Sequence, residues 1–168
     1  MKSIFAAVMV VSCAITSLSQ EDSIAYRKHE FGWSAQYRFG RITPGFQYLY
    51  SVKPSQQIGV NLNLFYGRSN ENNQFFSPEL SLAYRWKFHL FRGLSAYVAP
   101  TLSYGLLTST LLQPTHEWGL GVNTGLEYDF SENNVPLVIG IGTKTVATYS
   151  RGRLGYLASP TLSLRIRF

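Results

Sequence analysis

From Phe76 to His89 every second residue is apolar: Phe76, Pro78, Leu80, Leu82, Tyr84, Trp86 and Phe88 alternate with Ser77, Glu79, Ser81, Ala83, Arg85, Lys87 and His89. Successive side chains of a strand point to opposite faces, so a period of two predicts a β-strand with one greasy and one ionic side. The pattern returns where Trp118, Leu120, Val122, Leu126, Tyr128 and Phe130 are set against Glu117, Gly119, Gly121, Asn123, Gly125, Glu127 and Asp129. It returns once more at the end, where Leu162, Leu164, Ile166 and Phe168 alternate with Thr161, Ser163, Arg165 and Arg167. Further strands are predicted near 30–40, 44–52, 57–67, 94–106 and 136–149, and with the last over 155–168 the count is eight.

Turn chemistry falls between these segments. Residues 52–56, 89–93 and 131–136 form one set of connections; 41–43, 68–74, 108–115 and 150–155 form the other, expected to be the longer set on the outer side. No segment has a helical period and no apolar run reaches about 18 residues, which excludes helical membrane proteins and any α/β fold. A short motif recurs as Ser77-Pro78-Glu79-Leu80-Ser81-Leu82, Ala99-Pro100-Thr101-Leu102-Ser103-Tyr104 and Ser159-Pro160-Thr161-Leu162-Ser163-Leu164. It puts proline on the apolar face of three strands, where a missing ladder donor predicts local bulges.

Composition changes the picture. Of 168 residues, 45% are hydrophobic and only 14% charged, too few charges to cover a water-facing domain. Aromatics reach 15%, which suits strands and membrane interfaces. The net charge of +6 comes from scattered Lys and Arg, which points to an anionic lipid surface and not to nucleic acid. Residues 1–19 read as a secretory signal peptide: Lys2, an apolar run from Ile4 to Ile15, and small residues at Ser17-Leu18-Ser19 before Gln20. Cleavage there leaves residues 20–168 as one barrel domain without cysteine. A second reading takes Val10-Val11-Ser12-Cys13 as a lipoprotein signal with Cys13 acylated.

Amphipathic strands in even number can bury their apolar faces inward, as in a lipocalin, or outward into lipid. The inward choice would crowd about a dozen aromatic rings into an eight-stranded barrel whose interior barely holds side chains. The outward choice makes the rings into girdles and leaves charged and small residues inside. Gly59, Gly119, Gly121, Gly125, Gly140 and Gly142 fall on that inner face and are expected to make room for long Arg and Lys chains. The strands of Glu127 and Asp129 and of Arg165 and Arg167 run the same way, which predicts a structural interior ion cluster of these four with Arg85 and Lys87.

An export signal, eight amphipathic strands and an ending of Leu-Ser-Leu-Arg-Ile-Arg-Phe resemble the small outer-membrane barrels of the OmpX and OmpA-transmembrane-domain kind. The resemblance implies an all-β, eight-stranded antiparallel up-and-down transmembrane barrel in the bacterial outer membrane, both termini periplasmic. It implies that Leu162, Leu164, Ile166 and Phe168 form the signal read by the barrel-assembly machinery. The partners it implies are outer-membrane lipid and lipopolysaccharide, together with an envelope protein partner. It names no activity.

No catalytic, cofactor-binding or metal-ligating set is read. His116 and Glu117 are adjacent and so face opposite ways on a strand, and no His-x-Ser spacing exists. Ile139-Gly140-Ile141-Gly142-Thr143-Lys144-Thr145 lacks the Gly-Lys-Ser/Thr step of a phosphate loop and sits in a strand. Leu111 and Leu112, in an outer connection, are candidate partner contacts. The reading is a non-enzymatic envelope protein with a structural, surface-interaction or complex-subunit role. The alternatives are a lipid-A-modifying deacylase or acyltransferase barrel and a soluble lipocalin-like ligand-binding barrel.

Overall fold

A computed structural model describes residues 28–38, 41–70, 73–109 and 114–168. The signal segment 1–19, Cys13, Leu111 and Leu112 lie outside the described residues. Eight strands follow in chain order: β1 His29–Arg38, β2 Arg41–Lys53, β3 Gln56–Asn70, β4 Asn73–Phe91, β5 Leu94–Ser109, β6 Thr115–Asp129, β7 Leu137–Ser150 and β8 Arg153–Arg167. Each pairs antiparallel with its neighbours in sequence, and β8 closes on β1. No sheet edge is left along the closed wall, which removes the usual hazard of edge-to-edge pairing.

The alternation decides which side is out. Leu120 is 69% exposed and Trp86 40%, while Arg165 is 1% exposed and Glu127 1%. Following the register once round the wall gives Leu164, Trp33, Phe46, Leu62, Leu80, Tyr104, Trp118, Tyr149 and finally Leu154, ten residues earlier in β8 than the start. Every member of that spiral is apolar or aromatic and faces outward. A shear of ten on eight strands tilts them by roughly 40°, so a fifteen-residue strand rises about 38 Å, more than the ~25 Å apolar band of a membrane barrel. The inward-apolar arrangement of a soluble lipocalin is thereby overturned.

The prolines do not make bulges. Register shifts fall at Ser51/Lys53, Arg68/Asn70 and His89/Phe91 instead. What proline does is interrupt a ladder without displacing it. His29 and Phe168 exchange both backbone hydrogen bonds, and counting by twos from that pair, as antiparallel pairing requires, reaches Tyr37 opposite Pro160. Proline cannot donate there, and the β1–β8 ladder stops one step short, at Gln36 with Thr161. The β2–β3 ladder likewise stops at Gly45 with Asn63, next to Pro44. The two gaps in the β4–β5 ladder contain Pro78 and Pro100.

Among the described residues, strand pairing runs on into two of the predicted outer connections. Arg68 pairs with Gln74, and β7 turns into β8 over Arg151-Gly152 alone. Both of those turn residues have positive φ, 50° and 75°, as do Arg92 and Gly93 at the opposite end, at 25° and 75°. Positive φ at both central positions is the geometry that matches the twist of a hairpin. Among the described residues the longest connection, Phe130 to Pro136, lies at the end that holds the termini. It begins with a 3₁₀ turn over Phe130–Asn133, where the Ser131 N–H and hydroxyl both donate to the Asp129 carboxylate.

Candidate functional site

The described interior holds two ionic sets, one toward each end of the barrel. Near the termini Glu127 is the centre: its carboxylate takes Arg85 at 2.6 Å, Arg165 at 2.5 Å and the Lys87 ammonium. Asp129 pairs with Arg167. The structure therefore brings together Arg85, Lys87, Glu127, Asp129, Arg165 and Arg167, the six residues whose faces and strand directions suggested a cluster. A seventh member, Glu30, was not foreseen. It accepts from Arg165 Nε at 2.9 Å and from Arg167 at 2.6 Å, and so ties β8 to β1 across the closing seam. The signal existed, because Glu30 alternates with Phe31 and Trp33 and belongs on the inner face; only the closing register could show which cations it meets. Gln57 donates to Glu30 at 2.9 Å, and Arg165 reaches Gln47 at 3.2 Å and Ser163 at 2.7 Å, so the donors of these buried charges are largely used.

The inner glycines serve a different purpose from the one expected. A Cβ on Gly125 would stand 2.7 Å from the Tyr97 hydroxyl, on Gly59 2.5 Å from Leu49 Cδ2, and on Gly119 2.6 Å from Val146. They make room for three bulky apolar side chains buried inside. Gly140 has a long cation beside it, with Arg165 Nη1 3.5 Å from its missing Cβ. The Tyr97 ring in turn carries the Arg85 guanidinium over its face, 3.5 Å from the centroid.

A second ionic set occupies the outer half. Glu79 pairs with Arg38 at 3.1 Å and with Lys144, and accepts from Asn63 and Ser81 at 3.2 Å each. Arg38 also meets Glu117 at 3.1 Å, and its guanidinium lies 4.8 Å from the Phe65 ring centroid. Between the two sets lies a polar cavity of about 40 Å³, bounded by Ser34, Gln47, Asn61, Asn123, Lys144 and Thr161 among others. That holds a few water molecules at most. Among the described residues the lumen is filled by paired charges, polar side chains and a few buried apolar ones.

The histidines sit on the surface of this arrangement. His29 Nδ1 is 2.7 Å from the Tyr48 hydroxyl and His116 Nδ1 is 2.5 Å from that of Tyr104. Glu117 turns inward to Arg38, so His116 and Glu117 do face opposite ways. The terminal Leu162, Leu164, Ile166 and Phe168 all face outward. The last three line an apolar groove of about 140 Å³ at the β1–β8 seam with Phe31, Trp33 and Leu137. The Phe168 ring stacks on His29, centroids 5.7 Å apart and planes at 16°.

No protein-family model matches the chain, and no curated protein matches it in sequence. Solved structures match its shape. Neisserial surface protein A aligns with a TM-score of 0.62 at 13% identity, over 84% of this chain and 95% of its own. The N-terminal β-barrel domain of Pseudomonas aeruginosa OprF gives 0.58 at 14%, over 83% and 98%. Ail, the attachment invasion locus protein of Yersinia pestis, gives 0.51 at 12%, over 84% and 97%. With the apolar spiral outside and the charges within, the chain has the fold that these three share, an eight-stranded antiparallel transmembrane β-barrel.

Proposed function

We propose that this chain is an integral protein of the bacterial outer membrane, non-enzymatic, which serves envelope structure or surface interaction, alone or as a subunit of a larger complex. The observation that carries this reading is the inversion itself: nine outward apolar positions in one continuous spiral around a core whose carboxylates are all paired with cations. Such a surface needs acyl chains against it, and such a core leaves nothing for solutes to pass through. Residues 1–19 supply the export signal, the barrel-assembly machinery reads Leu162, Leu164, Ile166 and Phe168, and lipopolysaccharide surrounds the outer half.

A lipid-A-modifying enzyme is the second reading. It would need a histidine activated by a carboxylate and set beside a nucleophile. His116 instead meets Tyr104, with its neighbouring carboxylate on the far side of the wall, and this favours a binding role. Fractionation tests the main reading. The protein is expected to stay in outer-membrane fractions through high-salt and alkaline washes and to leave only in detergent, running faster in gels unheated than boiled. Release by salt alone sinks it. Mass spectrometry of lipid A from cells with and without the protein tests the second reading, which predicts a changed acyl pattern.

A further inference from the structure

The β1–β2 hairpin is joined to its neighbours only part of the way toward the outer end. β1 stays paired with β8 as far as Gln36 with Thr161, and β2 with β3 as far as Gly45 with Asn63. Ser51 donates to Lys28, so odd positions of β2 bond β1 and even ones bond β3. The next bonding position at each seam is therefore a proline, Pro160 opposite Tyr37 and Pro44 opposite Leu64. Beyond them Arg38 and Ser159 do not pair, and Arg41 to Thr43 stand beside Phe65 to Gly67 without pairing. The β4–β5 ladder behaves differently, because pairing resumes past both Pro78 and Pro100 and runs out to Phe75 with Ser109. Tyr37, Arg38, Ile42, Arg41 and Thr43 pair across their own hairpin and lie outside both flanking ladders.

Side chains hold what the ladders leave loose. Arg38 reaches across the lumen to Glu79 on β4 and Glu117 on β6, at 3.1 Å each, with the Phe65 ring centroid 4.8 Å from its guanidinium. Arg41 lies 5.8 Å from the Phe75 ring centroid. Thr43 faces inward and is 3% exposed, while Tyr37 and Ile42 face outward at 51% and 76%. Next to this hairpin end lies the polar cavity. Gln36, Thr161 and Asn63, three of the four residues at which the ladders stop, are among its walls.

We propose that the outer end of the β1–β2 hairpin is a lid. It swings outward about the Ala35/Pro44 pair, Arg38 lets go of Glu79 and Glu117, and the polar cavity opens to solution at the outer end. A hairpin built into ladders on both flanks moves only by breaking them rung by rung, whereas one held by side chains moves when a few contacts exchange with water. Arg38 is the latch, and the two prolines keep the seams from closing over it. Opening gives access and not passage, because the set around Glu127 lies on the far side of the cavity. The lid depends on the barrel alone and not on which membrane holds it.

Thiol labelling of the mature protein in nanodiscs tests this. The chain's one cysteine, Cys13, lies in the export segment, so an introduced thiol is the sole reporter. Thr43→Cys sits on the inner face of the lid. Ser103→Cys is the control, nearly as buried at 5% but paired on both sides within β5. The rate of reaction with a water-soluble methanethiosulfonate is read at each. Arg38→Gln is expected to speed labelling at Thr43→Cys at least about tenfold, the factor for losing one charge-assisted hydrogen bond, and to leave Ser103→Cys unchanged. Pro44→Ala with Pro160→Ala returns a donor to each ladder and should slow the reaction again. Gel mobility before and after heating establishes that each variant is folded, and Glu117→Gln replaces Arg38→Gln as the unlatched form if the latter fails to fold. An unchanged rate at Thr43→Cys in the unlatched form overturns the proposal. Equal acceleration at both cysteines overturns it as well, since the whole barrel has then loosened. A rate indifferent to the two alanines overturns it because the ladders then have no say in the motion.

Discussion

Glu30 and Arg165 are 135 residues apart in the chain and meet at 2.9 Å across the seam where β1 joins β8. Both are almost wholly buried, at 0% and 1% exposure. Closing the cylinder is therefore coupled to neutralising its charges: until the ends meet, Arg165 and Arg167 both lack Glu30.

Glu30→Ala is expected to destabilise the barrel by about 3–5 kcal/mol, because it leaves buried cations short of a partner. Glu30→Leu combined with Arg165→Met should cost much less, since no charge is orphaned and Arg167 keeps Asp129. Urea unfolding in phospholipid vesicles reads both. If the double variant falls as far as the single one, unpaired charge is not the source of the loss.

The apolar belt has a height that can be measured. Leu82→Arg, in the middle of β4, should cost about 2–4 kcal/mol, and Leu154→Arg, at the outer end of β8, about 0–1. Equal costs in the same unfolding experiment would place the belt elsewhere.

The two hairpin turns of matching sequence should respond unequally. Gly152→Ala meets nothing within 4 Å and suffers only its positive φ, a cost of about 1–2 kcal/mol. Gly93→Ala would also bring a Cβ to 2.5 Å from the Asp129 carbonyl oxygen and should lose distinctly more. The difference between the two unfolding midpoints is the quantity to record.

Phe168 has two candidate roles, as a label for assembly and as a ring that clasps His29. If the label matters, Phe168→Ala slows assembly in cells far more than His29→Ala does, while both fold alike into pure lipid vesicles. Similar behaviour of the two variants in cells would leave only the clasp.

Planar bilayers containing the protein should show none of the conductance steps given by porins of about 16 strands, because the interior is filled. Porin-sized steps from purified, folded protein would contradict the packed core.

Much of this was legible in the sequence, for a particular reason. Alternation over Phe76 to His89 assigns each residue of β4 to a face, and the face of Arg85 and Lys87 follows without knowing any neighbour. All eight strands were visible by the same rule. What alternation lacks is register. Glu30 is on the inner face by parity, yet its pairing with Arg165 depends on how the ends align, and the set of Arg38, Glu79, Glu117 and Lys144 draws on four strands at one level. The connection at 68–74 was misjudged because its composition is turn-like, whereas backbone pairing continues out to Arg68 with Gln74. The prolines were misjudged because a missing donor can break a rung without displacing the rail.

The circuit from Leu164 to Leu154 also sets the girth of the molecule. Neighbouring residues look opposite ways, so the wall can be sealed only at even offsets; an odd one turns a strand inside out. An offset of eight would draw the tube slightly tighter and one of twelve would widen it, each shifting which inward residues stand level with one another. The salt-bridged filling is thus matched to the circumference that an offset of ten gives.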